Sequence, residues 1–207
     1  MDDRTSGIAG LVATGLAASV FVSVDRGTPT VPVVERCDVP ERVLLRKYRD
    51  GIGYADCYFS DVPDSISQRA FVEAFYTTAL FKLERAVLRW FAGRPSTDVE
   101  ARELAAGDRQ SFAAWRVEDR TADELLVADF TGRTRSWLMA SPISAANGMR
   151  TRLYFGSAVV PRPDVAPGRR TMGFAFHALL GFHAAYSRAL LRAARSRLLA
   201  KPGPGAQ

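Results

Sequence analysis

The sequence has few of the residues from which metal centres and cofactor sites are built. Its 207 residues include two histidines, His177 and His183, and two cysteines, Cys37 and Cys57. The cysteines do not have the close spacing typical of zinc ligands. The chain also lacks the glycine-rich, zinc-binding and nucleophile motifs GxGxxG, GxxxxGK[ST], HExxH and GxSxG. We therefore expect no metal and no cofactor, and the sequence leaves open whether the protein is an enzyme.

The two cysteines also bear on the compartment. A disulfide between Cys37 and Cys57 would need an oxidising environment. Nothing else in the sequence is typical of a small disulfide-stabilised scaffold. We therefore predict free thiols and a cytoplasmic location, with membrane association as the alternative.

The N-terminal region is apolar. Gly7 to Val24 contains no charged residue, and its length just reaches the roughly 17 residues that a spanning helix needs. Glycine and hydroxyl side chains dilute it, and Asp2 and Asp3 have the wrong charge for the start of a signal peptide. We expect residues 1–30 to be a leader that is neither cleaved nor spanning, with a weak anchor or a poor signal peptide as alternatives.

No acidic residue occurs between Arg169 and Lys201, although this segment holds seven of the 28 basic residues. The other 21 are balanced by 22 acids, so the net charge of +6 belongs to this segment. The spacing predicts one long helix with a basic stripe of Arg188, Arg192 and Arg195. Such a stripe could bind an anionic membrane, at roughly 1 kcal/mol per basic residue, or simply face solvent. Nucleic acid is not expected, because no aromatic residues interleave with these arginines.

Helix signals dominate the first half of the chain. Ser65 with Gln68 has the spacing of a capping box before an apolar stripe that runs to Ala92. The Thr77–Thr78 pair predicts a bend or a meeting of two helices. A helix is also expected over Pro40–Tyr48, because proline is tolerated in a first turn.

A further short helix should begin at Thr97, which forms a second capping box with Glu100, and end at Gly107. From Gln110 onwards the apolar residues alternate with polar ones, which predicts strands. The expected strands, with two earlier ones, are Val31–Cys37, Tyr54–Ser60, Ser111–Val117, Glu124–Phe130, Arg133–Ser141 and Arg150–Val160.

The second and third of these later strands, Glu124–Phe130 and Arg133–Ser141, define a register. A hairpin at Thr131–Gly132 would place Ala128 on the same sheet face as Arg135, with Asp129 on the other face. We expect one domain over residues 31–200 and a disordered tail over 201–207.

Three segments carry a family resemblance. They are YADCYF at Tyr54–Phe59, DELLVADF at Asp123–Phe130, and the closing basic helix with FHAAYSRALLRAARSRLL. With the element order, these segments resemble the START-like, polyketide-cyclase-like superfamily (SRPBCC). The resemblance implies an α+β helix-grip fold, in which an antiparallel sheet packs around a long C-terminal helix and leaves an apolar cavity. Members bind lipids, sterols or polyketides, and some catalyse cyclisation or hydrolysis.

The closing helix supplies most of the predicted ligand contacts. At about 100° per residue, His183 lies on the apolar stripe, whereas His177 falls with the arginines. The predicted ligand-binding residues are Phe176, Leu180, His183, Tyr186, Trp137 and Arg135.

Three residues are weak catalytic candidates: His183, Asp129 and Tyr154. A buried histidine could act as a general base, and the alternative is a core histidine bonded to a hydroxyl. For the other two, the alternative is the solvated face of a strand. The leading interpretation is a binding protein for a hydrophobic small molecule or lipid. The alternatives are a cyclase/aromatase- or hydrolase-like enzyme and a membrane-peripheral accessory protein without a ligand.

Overall fold

The fold is α+β, with a seven-stranded antiparallel sheet and a long C-terminal helix in a computed structural model. The structure describes residues 33–49, 54–92, 95–145, 148–160 and 174–200, except the side chains of 87–92, 145 and 174–182. The predicted leader over 1–30 and the predicted tail over 201–207 lie outside these residues. No helix in the described part is long and apolar enough to cross a membrane.

Strands and helices follow the predicted order. The strands are β1 (Glu35–Cys37), β2 (Tyr54–Val62), β3 (Ser111–Phe112), β4 (Trp115–Arg120), β5 (Glu124–Asp129), β6 (Thr134–Ala145) and β7 (Gly148–Val159). The helices are α1 (Arg46–Arg49), α2 (Gln68–Tyr76), α3 (Ala79–Ala92), α4 (Asp98–Ala106) and α5 (Phe174–Ala200).

The sheet is an antiparallel meander from β3 to β7, and the early strand β2 pairs with its last strand, β7. Its order is β1-β2-β7-β6-β5-β4-β3, so the last strand pairs with β2 and brings residues about 100 positions apart into register. The predicted hairpin register is confirmed: Ala128 pairs with Arg135 and Leu126 with Trp137. This pairing fixes which side chains share a face.

The predicted break in the long helix is confirmed, since α2 ends at Tyr76 and α3 begins at Ala79. The predicted cap at Ser65 is wrong, because Ser67 is the N-cap residue and accepts a hydrogen bond from the Ala70 amide. Gln68 is bound elsewhere: its side-chain amide donates to the Leu138 carbonyl and accepts from the Ala140 amide. The glutamine that suggested a capping box therefore joins α2 to the sheet.

The second capping box is confirmed. Thr97 and Glu100 satisfy each other's backbone amides at the start of α4, and Gly107 ends the helix with φ +94°. The left-handed backbone at this position explains the glycine.

Positive φ values shorten two predicted elements. Arg42 has φ 60°, so the helix expected over Pro40–Tyr48 forms only from Arg46. Ala113 has φ 51° and turns the chain, so the strand expected over Ser111–Val117 is two paired strands, β3 and β4. A left-handed conformation is uncommon for residues with a side chain, and neither sequence signals it.

Both faces of the sheet are covered. The helix face packs against α2, α3, α4 and α5, and its buried residues include Leu125, Val127, Leu138, Leu153 and Phe155. The N-terminal face packs against the segment that contains Val39 and Leu45, and its buried residues are Cys57, Leu126, Trp137, Met139 and Ala158.

Candidate functional site

A cavity of about 320 Å³ lies between the helix face, α3 and α5. Aromatic and aliphatic side chains from four elements form its apolar wall: Phe75, Phe81, Phe155 and Leu190. Polar side chains enter from β6, β7, α3 and α5: Ser136, Ser157, Glu84, His183, Tyr186 and Ser187. An apolar chamber with a few polar groups is the usual form of a small-molecule site.

A chain of hydrogen bonds joins α5 to β2 at this cavity. Ser157 Oγ lies 2.6 Å from His183 Nε2 and donates to Asp56 Oδ1 at 2.5 Å. The second carboxylate oxygen, Oδ2, lies 3.9 Å from the same histidine nitrogen. The Tyr54 and Tyr58 hydroxyls donate to Oδ2, each at 3.4 Å. Asp56 is only 3% exposed, so these donors take the place of water around its carboxylate.

The proton positions in this chain set its chemistry. Because Ser157 gives its proton to Asp56, the proton in the Ser157–His183 bond must come from His183 Nε2. In a Ser-His-Asp triad the histidine takes the serine proton and the carboxylate orients the histidine. Here the serine lies between the other two. This arrangement fixes the imidazole and points to hydrogen-bond donation rather than to an activated serine nucleophile.

A second polar pair joins α3 to α5 at the cavity. The Tyr186 hydroxyl donates a short hydrogen bond to Glu84 Oε2. Burial raises the pKa of the Glu84 carboxyl, and the bond from Tyr186 only partly opposes this effect. Burial, with Glu84 nearby, also raises the pKa of Tyr186. The pair therefore retains protons more strongly than the free side chains would.

Two polar atoms of the cavity wall have no hydrogen-bond partner among the described residues. They are Ser187 Oγ and Trp115 Nε1. Ser187 is fully buried. An unsatisfied buried hydroxyl is unfavourable, so this atom is available to a polar group of a ligand.

The predicted ligand residues His183 and Tyr186 both line the cavity, as does Leu190. Asp129 also lies at the cavity, where its carboxylate accepts from the Thr131 hydroxyl and the Arg133 amide. Burial opposes ionisation of Asp129, but the turn hydrogen bonds outweigh it and lower its pKa. Asp129 thus closes the β5–β6 turn at the cavity edge.

The other predicted sheet residues are divided, since Arg135 lines the cavity whereas Trp137 and Tyr154 do not. Arg135 borders it, but its Nε donates to Glu118 at 3.0 Å and its guanidinium lies over the Tyr48 ring. Trp137 and Tyr154 both belong to the N-terminal face, with ring centroids 5.9 Å apart. The alternation of side chains along β6 and β7 places them on the side opposite Ser157 and His183.

Two predicted ligand residues, Phe176 and Leu180, belong to α5, but their side chains lie outside the described part, as does that of His177. In the predicted basic stripe, Arg188 and Arg192 are exposed. Arg195 is partly buried and donates to the Asp61 carbonyl at 3.2 Å.

Within the described residues no group of three or more His, Cys, Asp or Glu side chains could hold a metal ion. No protein-family model matches the chain, and no curated protein is similar to it.

Several members of the site were not predicted from the sequence, among them Asp56, Ser157, Glu84 and Tyr54. The hydrogen bond between Asp56 and Ser157 spans 101 positions and that between Glu84 and Tyr186 spans 102. Only the pairing of β2 with β7 brings the first pair together. An aspartate in the middle of an otherwise apolar and aromatic strand was the one local signal, because buried carboxylates need partners.

Proposed function

We propose that this protein binds a hydrophobic small molecule in the cavity between the helix face and α5. The observation that carries the proposal is a cavity of about 320 Å³ whose wall combines phenylalanine and leucine side chains with hydrogen-bonded polar groups. Its volume lies near the lower end for small-molecule sites, which favours a compact ring system or a short alkyl chain.

The charged groups at the cavity restrict the kind of ligand that we propose. Asp129, whose pKa is lowered, lines the cavity, and Asp56 lies one hydrogen bond behind Ser157. The guanidinium of Arg135 is directed to Glu118 rather than into the chamber. We therefore favour a neutral ligand with a hydroxyl group over a fatty-acid carboxylate, since these carboxylates would repel an anion.

The helix-grip architecture is part of the same proposal. An antiparallel meander with a long C-terminal helix on one face supports it. The resemblance to START-like proteins supports the same class of ligand, which includes lipids and polyketides.

A pair of matched leucine substitutions tests the proposal. Ser187→Leu extends an apolar side chain into the cavity wall, whereas Ser196→Leu makes the same change at an exposed position of α5. We expect the wild-type protein and Ser196→Leu to bind neutral 2-naphthol at one saturable site, measured by fluorescence and calorimetry. Ser187→Leu should lose at least about tenfold in affinity, or roughly 1.4 kcal/mol.

Two further probes separate the ligand classes. Anionic 2-naphthoate should bind more weakly than 2-naphthol, and 1-decanol serves as the lipid-like probe. Equal affinity for 2-naphthol and 2-naphthoate would contradict the charge argument. Absence of saturable binding for all three probes, or equal binding to the two leucine variants, would contradict the cavity as the ligand site.

A second candidate is a proton-transfer enzyme of the cyclase/aromatase or hydrolase kind in the same cavity. It is favoured by the Glu84–Tyr186 pair and by His183, whose Nε2 is fixed by Ser157. Positioned proton donors typically contribute about 10²–10⁴-fold to a rate. A screen of polyketide-like aromatics and esters should show turnover that His183→Ala loses and Ser196→Ala keeps. Turnover retained by His183→Ala would reject the role of this histidine.

A further inference from the structure

Cys37 and Cys57 face each other across neighbouring strands. They are direct partners in the β1–β2 register, and their Sγ atoms lie 3.1 Å apart as free thiols. Directly paired strand residues have Cα separations of about 4.5–5.5 Å, within the range that disulfides accept. A bond between the two sulfurs therefore needs only a small side-chain adjustment and no change of strand register.

The two thiols differ in accessibility. Cys57 is fully buried in the N-terminal face, whereas Cys37, on the edge strand β1, is partly exposed. A cleft of about 330 Å³ adjoins both cysteines, and its wall includes Arg36, Asp38 and Arg49. Because Cys37 is partly exposed and Cys57 is fully buried, a reagent from solvent reaches Cys37 first.

The electrostatic surroundings also make Cys37 the more reactive of the two thiols. The hydrogen bond with Cys57 lowers the pKa of Cys37, and the positive charge of Arg152 adds to this effect, while burial and Asp38 oppose it. The bond with Cys37 and burial raise the pKa of Cys57. Cys37 therefore has the greater thiolate character, which is the reactive form.

We propose that Cys37 and Cys57 form a reversible redox modification site whose reactant is a small-molecule disulfide of the glutathione type. The Cys37 thiolate attacks one sulfur of the reagent, forms a mixed disulfide and releases one thiolate. The Cys57 sulfur, after losing its proton to that thiolate or to water, attacks the Cys37 sulfur and releases the second thiolate. Two protein thiols are oxidised by two electrons, and one disulfide is reduced to two thiols.

This site is independent of the proposed ligand cavity, because Cys37 and Cys57 are not among its lining residues and Cys57 lies on the opposite sheet face. Its test therefore needs no ligand. The full-length protein is equilibrated with reduced and oxidised glutathione in a series of ratios. Free thiols are then alkylated at low pH, and the protein is examined by mass spectrometry before and after digestion.

We expect the wild-type protein to lose two hydrogen atoms and to yield a cross-linked peptide that joins Cys37 to Cys57. The mixed disulfide should not accumulate, because the second thiol is already in contact with the first. A wild-type protein that keeps two free thiols at every ratio would overturn the proposal. A stable glutathione adduct, or a disulfide between two protein molecules, would overturn it as well.

Two serine variants test the order of attack. Cys57→Ser should accumulate a glutathione adduct on Cys37, since no second thiol resolves it. Cys37→Ser should react at least about tenfold more slowly, because Cys57 is fully buried and burial raises the pKa of its thiol even without the Cys37 sulfur. Equal rates for the two folded variants would contradict the assignment of Cys37 as the attacking thiol. The wild-type cross-link remains decisive if either variant does not fold.

Discussion

The two faces of the sheet bury similar kinds of side chain but differ in how completely the space above them is filled. On the N-terminal face, Trp137 is fully buried and Gly156 has no room for even one methyl group. On the helix face, a cavity remains although four helices pack there. A continuous apolar layer therefore gives stability on one side, and an incompletely filled layer gives space for a ligand on the other.

The two faces also differ in whether their buried polar groups have hydrogen-bond partners. On the N-terminal face, the buried Glu124 carboxylate accepts from Trp137 Nε1 at 2.7 Å and from the Leu44 amide at 2.8 Å. On the helix face, Ser187 Oγ and Trp115 Nε1 have no partner among the described residues. Satisfied polar groups fix a structure, whereas unsatisfied ones favour a bound molecule that supplies the missing hydrogen bond.

The largest expected effect compares two tryptophans. Trp137→Ala should lower the free energy of unfolding by about 3–5 kcal/mol, because it empties a filled core and removes a donor to Glu124. Trp115→Ala should lower it by only about 1–2 kcal/mol, because Trp115 is partly exposed and borders the cavity. Urea unfolding followed by circular dichroism measures both. Equal losses would remove the distinction between the faces.

A methyl group added to the N-terminal face should have the next largest effect on the free energy of unfolding. A Cβ at position 156 would lie 2.5 Å from Leu45 Cδ2 and 3.0 Å from the Asp56 carbonyl oxygen. We expect Gly156→Ala to lower the free energy of unfolding by about 1–3 kcal/mol through overpacking.

Leu45→Ala tests whether the contact with Leu45 causes the cost of Gly156→Ala. Alone it should destabilise the protein, because Leu45 is fully buried. Combined with Gly156→Ala, it should cost less than the sum of the two single changes, because the nearest clashing atom is gone. Additive losses in denaturant unfolding would show that Leu45 does not limit the space above Gly156.

Local chemistry allowed several features of the fold to be predicted. Thr97 with Glu100 fixed the start of α4, and the register that pairs Ala128 with Arg135 followed from the hairpin. These features depend on residues close in sequence. The cap at Ser67 was missed because Ser65 and Ser67 offer similar hydroxyls, and Gln68 was read as a capping side chain although it binds the sheet.

The site was less predictable because both sheet faces are apolar. The alternation of side chains places Tyr154 and Phe155 on opposite faces of β7, but it does not tell which of them faces α5. β5 is buried along nearly its whole length, so its pattern also identifies no solvated face. His183 was placed by the helix period, whereas its partners depend on the non-local pairing of β2 with β7.

A smaller effect on stability, which depends on pH, is expected at the helix face. Burial raises the pKa of Glu84 in the folded state, so the folded protein keeps this proton to a higher pH than the unfolded chain. The contribution of Glu84 to stability is therefore present below the unfolded pKa and is lost as pH rises through the folded pKa. Glu84→Gln should match the wild type in acid and be more stable at neutral pH, as measured by unfolding across a pH series.

Tyr186→Phe provides the opposing variant. It removes a hydrogen bond that lowers the pKa of Glu84, so the wild-type loss of stability should extend to higher pH. A stability difference between Glu84→Gln and the wild type that is independent of pH would contradict the assignment of a proton to Glu84.

The smallest effect separates two hydroxyls of the same cavity. Ser157→Ala should lower the free energy of unfolding by about 1 kcal/mol, because Ser157 bonds to both Asp56 and His183. Ser187→Ala should raise it by up to about 1 kcal/mol, because its buried hydroxyl has no partner in the described part of the chain. Exposed Ser196→Ala measures the helix propensity gained by any serine-to-alanine change in α5. A gain at Ser187 no larger than that at Ser196 would mean that the Ser187 hydroxyl carries no desolvation penalty, and it would remove one reason to expect a polar group on the ligand.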